Sequence, residues 1–262
     1  MKNYKATVVS LLAACLSLLI AMPDLAVEKA EETAGAPDRT NASPDKTKAP
    51  VSLEKKGEET AALKDMPVYK PPLRGAPEGR VAGGTRGAKD ALPMLLALVP
   101  DHVGLTVHEQ PSLYWFISQT TNYPIELTVI EDQAVRPIME KRLDNVVKPG
   151  IQCVRLTEYG LRLKTGVDYR WFVAVITDPE RRSKDIIAGG EVERVEFPGT
   201  LRSKLEQAGK NSAPRIYAEE GLWYDALGAV SDLISATPEN ALFHKQRSFL
   251  LEQAGLPEVV EY

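Results

Sequence analysis

The sequence predicts a mainly β protein with α: an antiparallel β-sandwich followed by a C-terminal helical hairpin, preceded by a signal peptide and a disordered linker. Three observations carry this expectation. An apolar run stands beside the initiator Met, short β-type runs recur between about residues 104 and 197, and the apolar period changes to a helical one beyond residue 215.

The N-terminus comes first. Lys2 and Lys5 supply positive charge, and residues 6–22 are almost wholly apolar, interrupted by Thr7, Ser10 and Ser17 before Pro23-Asp24. That is the pattern of a secretory signal, placed at 1–26. Three fates stay open: cleavage after Ala21, acylation at Cys15 within the lipobox-like Leu12-Ala13-Ala14-Cys15, or retention as an anchor, for which the run is rather short. A periplasmic or secreted protein is expected, touching membrane only through this N-terminus. Residues 27–65 then turn to Ala, Glu, Lys, Asp, Thr and Pro without an aromatic or an apolar period. Such a segment buries too little surface to offset its ordering entropy, so it is expected to be a disordered tether. A net charge of −4 gives no basic field that would recruit nucleic acid.

The β domain is expected over 66–198, beginning with the proline-extended Pro67-Val68-Tyr69-Lys70-Pro71-Pro72. Residues 92–99 are apolar and closed by Pro100-Asp101, and strands are predicted at residues 113–117, 125–129, 138–147 as a polar edge, 151–156, 169–176 as a central strand, and 186–195. Ile125-Glu126-Leu127-Thr128-Val129 alternates with period two, and Gly189-Gly190 suggests a bulge. Of the two cysteines, Cys15 lies in the signal and Cys153 in a predicted strand. Cys153 therefore has no partner for an internal disulfide once the signal is removed, and reads as a small buried hydrophobe. The helical part is expected over 199–262. Ala226, Leu227, Val230, Leu233 and Ile234 form one stripe, Thr237-Pro238 suggests a cap and first turn, and Phe243, Leu250, Leu251 and Ala254 form a second stripe before Gly255.

Leu163-Lys164-Thr165-Gly166-Val167-Asp168-Tyr169 resembles the entry to the penultimate strand of fibronectin type III and other immunoglobulin-like domains. That resemblance implies that the Tyr169 hydroxyl ties back to nearby backbone. Residues 217–240 resemble a tetratricopeptide repeat, with Gly221 at the turn, Tyr224 and Ala226 opening the second helix and Pro238 closing it. From about Pro67 to Gly255 the chain resembles the bacterial family known as domain of unknown function 928. The residues that carry this include Gly79-Arg80-Val81, Gly83-Gly84-Thr85-Arg86-Gly87, Tyr114-Trp115-Phe116, Asp178-Pro179 and Trp223-Tyr224-Asp225-Ala226-Leu227. Ala82 stands where a further glycine is expected. The family implies export and the architecture above, and no particular activity.

Chemistry-bearing patterns are sparse. The three histidines, His102, His108 and His244, form no HExxH or clustered metal pattern, and neither CxxC nor GxSxG occurs. No catalytic residue, metal or cofactor is therefore expected. The reading is an envelope protein- or glycan-binding or scaffolding module, with an envelope hydrolase or transferase as the alternative. Two binding candidates arise. In the first, Gly83, Gly84 and Thr85 present backbone amides between Arg80 and Arg86, which suits an anion; a glycine loop packed on the sheet is the competing explanation. In the second, Trp223 stands beside a packing Tyr224 and is expected to be exposed, as an anchor for a partner. The Arg181-Arg182-Lys184 turn reads as solvated charge.

If the first segment exports the chain, an alkaline phosphatase fused after Asp65 should be active outside the cytoplasm; an inactive fusion in an export-competent strain refutes export.

Overall fold

A computed structural model describes residues 65–72, 80–81, 92–143 and 147–259. The predicted signal, all but the last residue of the predicted linker, and Cys15 lie outside the described residues. In chain order the strands are β1 (Arg80–Val81), β2 (Leu95–Ala97), β3 (Gly104–Thr106), β4 (Ser112–Ile117), β5 (Ile125–Glu131), β6 (Met139–Leu143), β7 (Gly150–Arg155), β8 (Asp168–Val175) and β9 (Ile186–Arg194). Four helices follow: α1 (Gly199–Ala208), α2 (Ala213–Glu219), α3 (Trp223–Ala236) and α4 (Ala241–Gln253). The protein is β-rich with C-terminal helices.

One sheet has the order β1-β9-β8-β5-β6, with β3 also on β9; the other has the order β2-β4-β7. Pairing is antiparallel except between β3 and β9. The period-two reading of β5 holds: Ile125, Leu127 and Val129 are buried, while Glu126 and Thr128 are half-buried. In the central β8, Tyr169, Trp171, Val173 and Val175 all point into the core. The Tyr169 hydroxyl accepts a hydrogen bond from the Lys164 amide at 3.1 Å, fixing the loop that enters β8.

Three expectations need correction. The Gly189-Gly190 pair makes no bulge, because each glycine has one partner across β8, Phe172 and Trp171 respectively. The glycines answer to packing: an added Cβ would come within 2.5 Å of Phe172 at Gly189 and 2.7 Å of Val99 at Gly190. Cys153 is exposed, since the strand alternation turns Val154 inward and Cys153 out. Finally, Thr237 ends α3, and the side chain of Asn240 caps α4 by accepting from the Leu242 amide at 3.0 Å. Helix α1 was not anticipated; it buries Leu201 alone, too little apolar surface to show a period.

The helices share one core with the sheets. Helix α3 buries Ala226, Leu227, Val230 and Ile234, the predicted stripe, with Leu233 packed at its margin. The segment before β1 is stitched across the helices: the Lys70 amide donates to Ala218 O at 3.0 Å, and the side-chain amide of Gln253 donates to Pro67 O at 2.9 Å. Gly221 is glycine because its φ is +75° and a Cβ would lie 2.7 Å from Lys70 O.

Trp115 and Trp171 are 2% and 0% exposed. Replacing either with Ala should cost about 3–5 kcal/mol of unfolding free energy, read by urea denaturation. Parent-like midpoints for both variants would contradict the core assignment.

Candidate functional site

Three consecutive residues open α3 and reach three separate places on the β layers. Trp223 Nε1 donates to Leu98 O at 2.9 Å. The Tyr224 hydroxyl accepts from Trp171 Nε1 at 2.8 Å and donates to Glu191 O at 2.9 Å. Asp225 accepts from the Thr106 hydroxyl and the Val107 amide, each at 2.9 Å. Gly104 lets the Tyr224 ring in, for its Cβ would stand 2.7 Å from that ring.

Trp223 is therefore no surface anchor. It is fully buried, edge-on to Tyr69 with ring centroids 5.1 Å apart. A tryptophan this large finds its free energy in the core once one carbonyl meets its indole N–H, and Leu98 O does so. The expectation that it is exposed is overturned. Arg80 belongs to β1, where its guanidinium donates to Ala254 O at the end of α4, a favourable place for a cation. Gly83, Gly84, Thr85 and Arg86 lie outside the described residues. Arg182 pairs with Glu126 of β5 and with Asp185, at 2.8 and 2.6 Å, so its charge is met by carboxylates of the chain itself.

The geometry points elsewhere, to a cleft of about 600 Å³ at the junction of sheet and helices. One wall is a stripe of α3: Asp225, Gly228, Ala229, Asp232 and Ala236. The opposite wall comes from Pro111, Ser112 and Arg155, and α2 closes one end with Tyr217. His108 Nε2 lies 3.5 Å from Asp225 Oδ1, and the imidazole meets the Tyr217 ring edge-on. The His108 side chain is 54% exposed and faces the opening, while that of Asp225 is 1% exposed. Arg155 and Lys210 flank the mouth, the former 3.5 Å from Asp232. The arrangement offers a buried carboxylate that orients an accessible imidazole, with two cations nearby. Among the described residues no group of three or more His, Cys, Asp or Glu could hold a metal ion, and no helix is long and apolar enough to cross a membrane.

Sequence reasoning missed His108, Arg155, Tyr217 and Gly228 as a group because they come from four separate segments. One signal was present: Asp225 is an acid inside the apolar run Trp223 to Leu227, which α3 has to bury.

Burial pushes the Asp225 carboxyl up to about 6, with His108, the Val107 amide and the Thr106 hydroxyl pulling the other way. The folded chain thus holds this proton more tightly than the unfolded chain, whose carboxyl titrates near pH ~3.9. Its contribution to stability is present below about pH 4 and is lost as pH rises to about 6, a change of roughly 2–3 kcal/mol. Asp225→Asn cannot ionise there, so the stability of the parent relative to the variant should fall between about pH 4 and 6. Urea unfolding across that range checks this; a difference independent of pH would contradict it.

Neither a curated protein nor a solved structure matches the chain. A family does match over residues 81–262, a span that takes in every strand, helix and cleft residue described above apart from Arg80 at the start of β1. The chain belongs to DUF928, a family defined by a domain of unknown function.

Proposed function

We propose that the chain is an exported, non-catalytic binding module of the cell envelope that holds a protein or glycan partner in the cleft between sheets and helices. In this reading the β layers are an immunoglobulin-like platform, supported by the two-sheet strand order and by the bond from the Lys164 amide to the Tyr169 hydroxyl. Helices α2 and α3, turning at Gly221, form a single tetratricopeptide-like unit whose missing neighbour is replaced by the sheet.

One observation carries the cleft assignment. Gly228 sits in the interior of α3, where glycine costs about 1 kcal/mol relative to Ala. Nothing among the described residues requires it, for beyond its own helix backbone an added Cβ would meet no atom of theirs within 4 Å. With Ala229 and Ala236 it keeps one helix face low, and that face is a cleft wall. A helix that gives up stability to keep open space is suited to the close approach of a partner.

A second reading rests on the His108–Asp225 contact. A carboxylate that orients an exposed imidazole is the arrangement of a general base, which suits an envelope hydrolase or transferase. The described cleft brings neither Arg80 nor a cysteine to that imidazole.

Gly228→Ala should raise stability by about 1 kcal/mol, whereas Gly228→Leu should fill the groove and leave the fold intact. Crosslinked capture from envelope fractions should then give a partner with the parent that Gly228→Leu loses. Equal capture by both removes the cleft from the binding site. Turnover of a glycan or ester substrate that His108→Ala abolishes would establish the second reading instead.

A further inference from the structure

Sheets end in edges, and a free edge offers unpaired backbone groups to any extended chain. Of the edge strands here, β1, β2 and β3 are only two or three residues long, and β6 is guarded by exposed Glu140, Lys141 and Arg142. Strand β7 has neither protection. It runs six residues, Gly150-Ile151-Gln152-Cys153-Val154-Arg155, with its single charge at the last position. It pairs with β4 along one side. Among the described residues no other strand adjoins it, and the hydrogen bond of Gln152 Nε2 to Gly150 O is internal to the strand.

Room exists on both faces of that edge. Ile151 lines a cavity of about 400 Å³ with Arg247 and Leu251 of α4. Gln152 and Val154 line another of about 390 Å³ with Trp115 and Tyr159. Arg155, at the end of the strand, opens onto the junction cleft. Side chains alternating along an added strand would therefore find a hollow on each side.

The surrounding charge selects the occupant. Lys148 is exposed just before β7, Arg155 and Lys210 stand at its far end, and Arg247 is half-buried beside it with no carboxylate partner among the described residues. Against these four cations stand, among the described residues, Glu158, Asp232 and the buried Asp225. A cationic edge disfavours edge-to-edge pairing with the same edge of a second copy and attracts an acidic segment. We propose that the free edge of β7 takes up an extended acidic segment of a partner protein as an added strand, its alternate apolar side chains entering the two flanking hollows. The proposal rests on the reading of the chain as a binding module, and does not require that the cleft be filled.

The test uses the full chain and a fluorescent peptide of about nine residues, alternating valine and threonine with glutamate at both ends, beside a lysine-ended counterpart. Fluorescence anisotropy should show the glutamate peptide binding about tenfold tighter than the lysine one, and Lys148→Glu should erase most of that difference. Two further glutamate peptides carry N-methyl groups on alternate residues, in opposite frames. Pairing along one edge predicts that one frame abolishes binding and the other leaves it within about twofold. Equal binding in both frames, equal binding of the lysine peptide, or no saturable binding at millimolar concentration overturns the proposal. So does sedimentation showing a dimer that forms through β7. Gly228→Leu separates the two readings: it leaves peptide binding at β7 unchanged, and blocks the partner only if the cleft is the site.

Discussion

Trp223, Tyr224 and Asp225 hold the helices on the sheets, and the rest of the structure depends on that contact. Each uses polar atoms on a different part of the β layers: Leu98 O, Trp171 Nε1 of β8 with Glu191 O of β9, and the Thr106–Val107 end of β3. All three are buried, and all these bonds but the part-buried one to Glu191 O form away from water, where leaving a partner unpaired is costly. The register of α3 on the sheet is thereby fixed to within one residue. A helix sliding by one position would strand an indole, a phenol and a carboxylate together.

That fixed register creates the cleft. With Asp225 pinned under β3, the next turns of α3 bring Gly228, Ala229, Asp232 and Ala236 along one side, opposite Arg155 and Pro111. His108 follows Val107, whose amide binds Asp225, so the imidazole is delivered to the same carboxylate by chain continuity. The structural anchor and the titratable pair are thus one assembly. The acid that secures the fold also sets the electrostatics of the opening.

Glycine placement records the same economy of space. Gly104, Gly189 and Gly190 are filled against by Tyr224, Phe172 and Val99, so the core explains them. Gly228 has no such explanation among the described residues, which separates it from the others by physics rather than by position. The edges divide similarly: short strands and charges protect most of them, and β7 alone among the described edge strands combines length with a run uncharged up to its last residue.

By itself the sequence determined the β-rich layers, the central place of β8, the polar edge at β6 and the apolar stripe of α3. These rest on local periodicity, which a strand or helix cannot escape once one face is buried. The family was equally legible, because its short motifs follow one another in order along the chain. Tertiary structure decided what periodicity is blind to. Trp223 looked like a surface anchor until the Leu98 carbonyl was placed above it, and Cys153 looked buried until the phase of β7 turned Val154 inward. The cleft was invisible for the same reason: His108, Arg155, Tyr217 and Asp225 come from separate segments, and only the packing of α3 on β3 and β4 gathers them around one opening.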